Sequence, residues 1–254
     1  MTVTTAMIKE LREATGAGIL DSKKALEAAG GNFDQAVEHL REKGLAKAAK
    51  KASREANEGL ITVIVTDAQA SLIEVNCETD FVARTDDFKA LTGALAQQVF
   101  HNPDLTSADK LLAANYQADP GKTVANVLQE TISKLGENIV VRRLERYTRQ
   151  GPGVIDGYVH LGGRIGVLVE LGVEEAAAEG ETLSGLAHDL ALHIAAANPR
   201  YLRKEEIPDD VIAVETKIYM AQLAQENKPE HIKAKIVQGR LNKLYKEVCL
   251  LEQA

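Results

Sequence analysis

Two histidines flank an aspartate in a stretch with helical periodicity, and these side chains are candidates for metal binding or proton transfer: His188, Asp189 and His193. The two histidines lie five positions apart, a spacing that turns their side chains well away from each other on a helix of about 3.6 residues per turn. The metalloprotease spacing HExxH does not occur in the sequence. We therefore favour a structural or partner-contacting role, and a hydrolase built on this helix is the alternative.

Two glycine-containing stretches share features with nucleotide-binding loops. Gly121-Lys122-Thr123 matches the end of a phosphate loop, but Tyr116 occupies the position of its first glycine. Gly16 and Gly18 are followed by Asp21, where a dinucleotide-binding loop has glycine or alanine. We interpret the first stretch as a helix start and the second as a turn between helices, so no cofactor is expected.

The cysteines and serines offer no nucleophile in a recognised arrangement. Cys77 and Cys249 form no CxxC pair, and no serine lies in a GxSxG turn. A chain of 254 residues needs no disulfide to hold its core, so a reducing cytoplasm is the expected location. No signal peptide is recognisable, and no apolar run approaches the roughly 18 residues of a membrane span. These patterns predict a cytoplasmic protein that is not an enzyme.

One segment remains a candidate for function, at the junction of a predicted strand and a predicted helix: Thr79-Asp80-Phe81-Val82. One interpretation packs Phe81 and Val82 into the core as ordinary apolar anchors. The other treats the segment as a presented loop, in which Asp80 accepts hydrogen bonds and Phe81 enters a cavity of another protein. The residues alone leave both interpretations open.

The first 44 residues have the periodicity of three short helices separated by glycines. Gly16-Ala17-Gly18 divides the first two helices, Gly30-Gly31 ends the second, and Gly44 is expected to end the third. Asp34 is the predicted cap of the third helix. The pattern predicts a compact three-helix module.

The stretch from Lys43 to Arg54 carries five basic residues and no acidic one. It is an exposed helix or a connector, and it is either a solvated linker or a basic face for RNA, as in an RNA-binding or ubiquitin-like adaptor. The stretch has no aromatic side chains for base stacking, and the whole chain has a net charge of -7. We therefore expect no direct contact with nucleic acid, and no membrane association.

The remaining chain has the pattern of an α+β core in which one order of elements occurs twice. Residues 60 to 75 have the pattern of a β-hairpin, and a helix capped by Thr85 follows. After Gly151-Pro152-Gly153 a second hairpin and a second helix follow. In this second copy, an acidic, alanine-rich loop at 173–181 takes the place of Thr79–Val82. The candidate segment therefore belongs to the first half only.

Two amphipathic helices flank Asn227-Lys228-Pro229 and predict an antiparallel helical hairpin at about 207–245. Such an arm can join two copies of the chain as a homodimer or brace the core, and both roles stay open. Residues 247–251 are predicted to return as a strand. The predicted domains are a three-helix module with its basic connector at 1–53, a first core half at 54–150, and a second core half at 151–254 containing the helical hairpin.

Three parts of the sequence carry a resemblance to known proteins. They are, in chain order, Leu11–Gly18 with Asp21–Leu26, Glu74–Ala83, and Arg164–Val169 with His193–Ala196. All three closely resemble the bacterial elongation factor Ts family. They lie in the order found in the family and together with a helix containing Gly239-Arg240 they extend over nearly the whole chain. The resemblance implies an N-terminal module like a ubiquitin-associated domain, a duplicated α+β core with antiparallel sheets, and an inserted coiled coil.

The resemblance also implies a partner and the residues that contact it. Members of the family are guanine-nucleotide exchange factors that bind elongation factor Tu, a GTPase of translation, and promote exchange of its GDP for GTP. Their Thr-Asp-Phe-Val segment disturbs the magnesium site of the partner, a role that falls on Thr79–Val82. Further partner contacts fall on Arg12, Ile19 and Leu20 in the N-terminal module and on His193 in the second core half.

Overall fold

A computed structural model describes residues 3–174, 180–224, 226 and 228–253. It contains helices together with antiparallel strands, which confirms the α+β class predicted from the sequence. The chain divides into two compact units, Met1–His188 and Asp189–Ala254. No helix within the described residues is long and apolar enough to cross a membrane.

The elements follow one another in a regular order. The helices are α1 Thr5–Thr15, α2 Ile19–Ala28, α3 Phe33–Lys51, α4 Asp80–Ala83, α5 Asp86–His101, α6 Ala108–Ala113, α7 Val124–Leu135, α8 Glu181–Ala197, α9 Asp209–Leu223 and α10 Glu230–Val248. The strands are β1 Glu58–Val65, β2 Gln69–Cys77, β3 Asn115–Tyr116, β4 Asp119–Thr123, β5 Ile139–Thr148, β6 Gly153–His160 and β7 Ile165–Gly172.

The first three helices form a small module with its own core. Leu11 and Leu26 are fully buried where α1, α2 and α3 meet. Gly16, at φ 68°, ends α1 in the left-handed conformation that glycine adopts without strain. The side chain of Asn32, rather than the predicted Asp34, caps α3 by accepting a hydrogen bond from the Gln35 N–H at 3.0 Å.

The prediction that Gly44 ends the third helix is wrong, because α3 continues through it to Lys51. Gly44 is buried, and a Cβ atom built on it would lie 3.2 Å from Oγ of Ser133 on α7. The glycine therefore lets α3 approach α7 closely instead of stopping the helix. Much of the basic stretch that begins at Lys43 consequently lies on a helix packed against the core.

Three antiparallel strands in the order β1-β2-β5 form the larger sheet. One face of this sheet packs against α5 and α7, and Ile73, Val75 and Cys77 of β2 are fully buried there. Thr85 caps α5, as predicted, and Thr123 caps α7 through a capping box with Asn126. Buried apolar residues of both helices belong to the same core as buried residues of the sheet.

The second hairpin, β6 and β7, packs against β1 and β2. Gly157 and Gly166 lie at this contact, where a Cβ atom would come within 2.7 Å of Val63 and 2.3 Å of Ile61, respectively. The hairpin is followed by α8, so the order hairpin then helix occurs twice, as predicted. Within the acidic loop predicted at 173–181, residues 175–179 lie outside the described part of the chain.

In the second unit, α9 and α10 pack side by side around Leu223, Val237 and Leu241. Two helices were predicted here, and the turn residue Asn227 lies outside the described residues. The strand predicted at 247–251 is wrong. Helix α10 runs to Val248 and a 3-10 turn follows, leaving one isolated bridge between Tyr201 and Cys249.

Candidate functional site

The side chain of Phe81 projects into solvent from the short helix α4, with 81% of its surface exposed. Its neighbour Val82 is half-buried against the main core, and Ala83 is buried. The interpretation that packs Phe81 into the core is therefore wrong, whereas Val82 does anchor the segment. The four residues Thr79–Val82 thus combine an anchored backbone with one presented aromatic ring.

The N-terminal side of the segment is held by the carboxylate of Glu137, between α7 and β5. Its Oε2 atom accepts hydrogen bonds from the N–H groups of Glu78 at 3.1 Å and of Thr79 at 3.0 Å. Its Oε1 atom accepts a third from the Thr79 hydroxyl at 2.6 Å. The same hydroxyl oxygen accepts from the Val82 N–H at 3.4 Å, which makes Thr79 the cap of α4.

The carboxylate of Glu78 accepts a reciprocal hydrogen bond, from the residue that follows Glu137. Oε1 of Glu78 accepts a hydrogen bond from the Asn138 N–H at 2.7 Å and pairs with Arg54 at 3.4 Å. The Asn138 hydrogen bond is the main reason that the pKa of Glu78 lies below its usual value, and Arg54 adds to the effect. The Asn138 side chain also donates to the Arg54 carbonyl at 2.8 Å, which ties the end of the basic connector to this site.

The C-terminal side of the segment is fixed by Thr85. The Val82 carbonyl accepts hydrogen bonds from the Thr85 N–H at 3.0 Å and from its hydroxyl at 2.8 Å. The Asp80 carboxylate accepts a hydrogen bond at 2.7 Å from the guanidinium of Arg84, the residue that directly follows α4. Asp80 therefore already has a cationic partner four positions away, at the exposed side of the segment.

Below the segment lies the thiol of Cys77, which is fully buried and donates to the Thr79 carbonyl at 3.1 Å. Burial raises the pKa of this thiol to about 11, and the nearby Glu137 carboxylate adds to the rise. A thiol in this environment stays protonated near neutral pH and is a poor nucleophile. Cys77 therefore packs and supports the segment.

The chemistry available at this site is limited. The carboxylates of Glu78 and Glu137 are occupied by hydrogen bonds from the protein itself. Within the described residues, no group of three or more His, Cys, Asp or Glu side chains is placed to hold a metal ion. The arrangement is suited to presenting Phe81 to another surface.

Three other candidate residues lie around the α1–α2 loop. Arg12 is exposed in the last turn of α1, and its carbonyl accepts the hydrogen bond from the Gly16 N–H. Ile19 and Leu20 open α2 and are 59% and 72% exposed. Adjacent aliphatic side chains this exposed at a helix start form an apolar patch available to a partner.

The side chain of Lys134 on α7 connects this loop to the region of the segment. Its methylene stem lies beneath Gly16, where a Cβ atom would come within 3.3 Å of Cδ. Its ammonium group pairs with Asp87 at 2.7 Å, in the first turn of α5. The α1–α2 loop and the helix after the segment are therefore both held by α7.

The two histidines of the sequence motif have separate partners. His188 Nδ1 lies 2.9 Å from Oδ2 of Asp156 on β6. His193 is half-buried, and its Nε2 atom lies 2.7 Å from Oε1 of Gln253. The two rings do not share a partner in these contacts, and His193 retains part of its surface exposed.

The residues that sequence reasoning missed are those that hold the segment in place: Arg54, Glu78, Glu137 and Asn138. Glu137 and Asn138 follow the helix-ending Gly136, and nothing local distinguishes them from ordinary turn residues. Their partners lie 58 to 60 positions earlier in the chain. No periodicity or short motif reports a contact over that separation.

Comparison with known proteins gives one consistent result. The family model for "Elongation factor TS" matches residues 78–254. A protein named elongation factor Ts from Halothermothrix orenii is 47% identical over 97% of this chain and 81% of its own length. Its namesake from Clostridium novyi is 48% identical over 99% of this chain and 81% of its own length. The Aquifex aeolicus protein of the same name is 45% identical over the whole of this chain and 88% of its own length.

Proposed function

This chain belongs to the elongation factor Ts family, and on that premise we propose that it is a guanine-nucleotide exchange factor of translation. In this proposal it binds elongation factor Tu carrying GDP, disturbs the magnesium site of that GTPase and promotes exchange of GDP for GTP. It acts in the cytoplasm by binding alone, without a catalytic centre, cofactor or nucleotide site of its own.

The observation that carries the proposal is the exposure of Phe81 on a segment held at both ends. Thr79 is held by Glu137 and Val82 by Thr85, while 81% of the phenylalanine surface remains open to solvent. An aromatic side chain presented from a fixed backbone loses little conformational freedom on binding. Thr79, Asp80, Phe81 and Val82 are therefore the proposed contact with the nucleotide domain of the partner.

Binding of the partner at this segment can lower the affinity of the partner for nucleotide only by a limited amount. Burying one phenylalanine side chain contributes about 1.5 to 3 kcal/mol, which corresponds to a roughly ten- to hundredfold change in nucleotide affinity. Coupling between two ligands is reciprocal. GTP that binds the complex therefore lowers the affinity for the factor by the same ratio as the factor lowers the affinity for the nucleotide. The factor therefore speeds exchange without changing its equilibrium.

The remaining contacts supply affinity for the partner. Arg12, Ile19 and Leu20 are exposed beside the α1–α2 loop, and His193 is partly exposed in the second unit. The two aliphatic side chains provide apolar area that a partner surface can cover. We assign binding energy to these four residues and the disturbance of the magnesium site to the segment.

The finer architecture belongs to the same proposal. The module α1–α3 corresponds to the family's ubiquitin-associated-like domain, the two hairpin-helix parts to its duplicated core, and α9 with α10 to its coiled coil. The domains proposed are 1–53, 54–150 and 151–254, with the helical hairpin at about 207–245. The compact three-helix core around Leu11 and Leu26 supports the first correspondence.

A homodimer through the helical hairpin is a further part of this proposal. Val211, Val214 and Ile218 follow helical spacing along one face of α9, and each has at least 36% of its surface exposed. This stripe could pack against the same stripe of a second copy. Sedimentation equilibrium tests it, and a monomer at every concentration would leave the hairpin as a brace for its own chain.

A pull-down experiment tests the function directly. Purified elongation factor Tu is captured on this chain with and without excess GDP. We expect strong capture without nucleotide and weaker capture with GDP, because the two ligands oppose each other. No capture under either condition would contradict the proposed partner.

A further inference from the structure

The side chain of Glu137 makes its hydrogen bonds with residues that are distant in the sequence, and not with the elements on either side of it. It follows Gly136, which ends α7 at φ 84°, and it precedes β5. Its two carboxylate oxygens accept three hydrogen bonds, all from Glu78 and Thr79. The entire polar end of this side chain is thus directed at the start of the Thr79–Val82 segment.

Helix α4 needs such support because it is very short. It comprises four residues, Asp80–Ala83, and an isolated turn of this length does not persist in water. The N–H groups that precede it have no earlier turn of helix to accept their hydrogen bonds. Glu137 accepts two of them and also holds the hydroxyl that caps Val82.

The residue after Glu137 also binds this junction. The Asn138 N–H donates to the Glu78 carboxylate at 2.7 Å, so residues 78 and 79 are joined to 137 and 138 in both directions. Hydrogen bonds to a carboxylate are shorter and stronger than those between neutral groups. The orientation of α4, and with it the direction of Phe81, is therefore fixed relative to α7 and β5.

We propose that Glu137 is a positioning residue for nucleotide exchange, holding Thr79 so that Phe81 is presented in one orientation. This proposal rests on the proposed function, since it concerns the action of the same segment. Glu137 acts through Thr79 and Phe81 and needs no contact with the partner. Its loss releases the segment while the contacts of Arg12, Ile19 and Leu20 remain available.

This role predicts a particular kinetic result. A segment that is no longer held has to be ordered by the partner, which lowers the rate of GDP release from the saturated complex. The factor concentration that gives half of the maximal rate changes less, because the other contacts persist. A purely structural role gives the opposite pattern, because partial unfolding reduces the amount of active factor and raises the half-maximal concentration without lowering the saturating rate.

The experiment measures release of a fluorescent GDP from elongation factor Tu by stopped flow, over a range of concentrations of the 254-residue chain. The variants are Glu137→Gln, Glu137→Ala, Phe81→Ala and the double variant Phe81→Ala with Glu137→Gln. Glu145→Gln is the matched control, because Glu145 is an exposed glutamate on β5. Thermal unfolding of each variant determines the folded fraction.

A hydrogen bond to a charged group shifts an equilibrium by roughly tenfold or more. We expect Glu137→Ala to lower the saturating release rate about tenfold, Glu137→Gln to lower it less, and Glu145→Gln to leave it unchanged. The double variant should release GDP about as slowly as Phe81→Ala alone, because both changes affect the same segment. Hydrogen exchange at the Glu78 and Thr79 amides should become faster in Glu137→Ala.

The outcomes separate the two proposals. Normal saturating rates in Glu137→Ala, or effects that multiply in the double variant, would overturn the positioning role and leave the proposed function standing. A normal release rate in Phe81→Ala would overturn the role of the segment itself. If Glu137→Ala does not fold, Glu137→Gln and its double variant provide the same comparison with the side-chain volume retained.

Discussion

Gly157 on β6 faces Val63 on β1 so closely that a Cβ atom on the glycine would lie 2.7 Å from Cγ1 of the valine. The same atom would lie 2.7 Å from Cγ2 of Val65. Real side chains do not approach this closely, so the second hairpin packs against the first because this position has no side chain. The contact joins the two hairpins that the sequence presents as separate elements.

We expect Gly157→Ala to lower the free energy of unfolding by about 1 to 3 kcal/mol, the usual effect of overpacking. Guanidinium-induced unfolding followed by circular dichroism measures it. Gly172→Ala on β7 is the matched control, because nothing lies within 4 Å of its Cβ position. Equal loss of stability in both variants would contradict the packing argument.

Phe81→Ala should leave the fold intact and slow exchange. The side chain is mostly exposed, so we expect the free energy of unfolding to change by no more than about 0.5 kcal/mol. GDP release from elongation factor Tu should slow by roughly ten- to hundredfold, which is the contribution of one buried phenylalanine. Leu251→Ala is the control, since Leu251 is also exposed, at 62%, and lies outside the segment. An unchanged release rate would refute the assignment of Phe81.

The buried thiol of Cys77 predicts a dependence of stability on alkaline pH. Burial raises its pKa from 9.0 to about 11, so the unfolded chain releases this proton at a lower pH than the folded chain does. Stability from this group is therefore fully present below pH 9.0 and is lost as pH rises toward about 11. Denaturant unfolding across this interval, in the presence of a reductant, measures the loss.

Other groups also titrate at alkaline pH, so a matched variant is needed for Cys77. The stability of Cys77→Ala should decline less steeply over the same pH interval, because this variant lacks the thiol that ionises. The pH dependence of stability is measured for Cys249→Ala as well, because burial also raises the pKa of that thiol, which lies in the second unit. A decline in Cys77→Ala as steep as in the unaltered chain would show that this thiol does not ionise during unfolding.

The cap of α5 and the end of α1 were predictable because their causes lie within a few positions. Thr85 accepts a hydrogen bond from the N–H of Phe88, and Gly16 ends α1 in the left-handed conformation that favours glycine. The strand-forming runs and turn residues that predicted the two hairpins are equally local. The family resemblance also needed only the sequence, and with it came the candidate segment Thr79–Val82.

Gly44 and the last residues show where local reasoning failed. A glycine after a helical stretch has the pattern of a helix end, yet Gly44 lies inside α3 because α7 packs against it at Ser133. The strand predicted at 247–251 is replaced by the end of α10 and a 3-10 turn. At Gly44, contact with another element outweighs the local preference.

The sequence by itself determined the helices and hairpins, the family, and the four residues that carry the proposed contact. Only the tertiary structure decided that Phe81 is exposed while Val82 is anchored, and that Glu137 holds Thr79. The physical reason is distance along the chain. Capping bonds connect residues three or four apart, whereas the carboxylate of Glu137 meets Thr79 across 58 positions, once β5 has paired with β2.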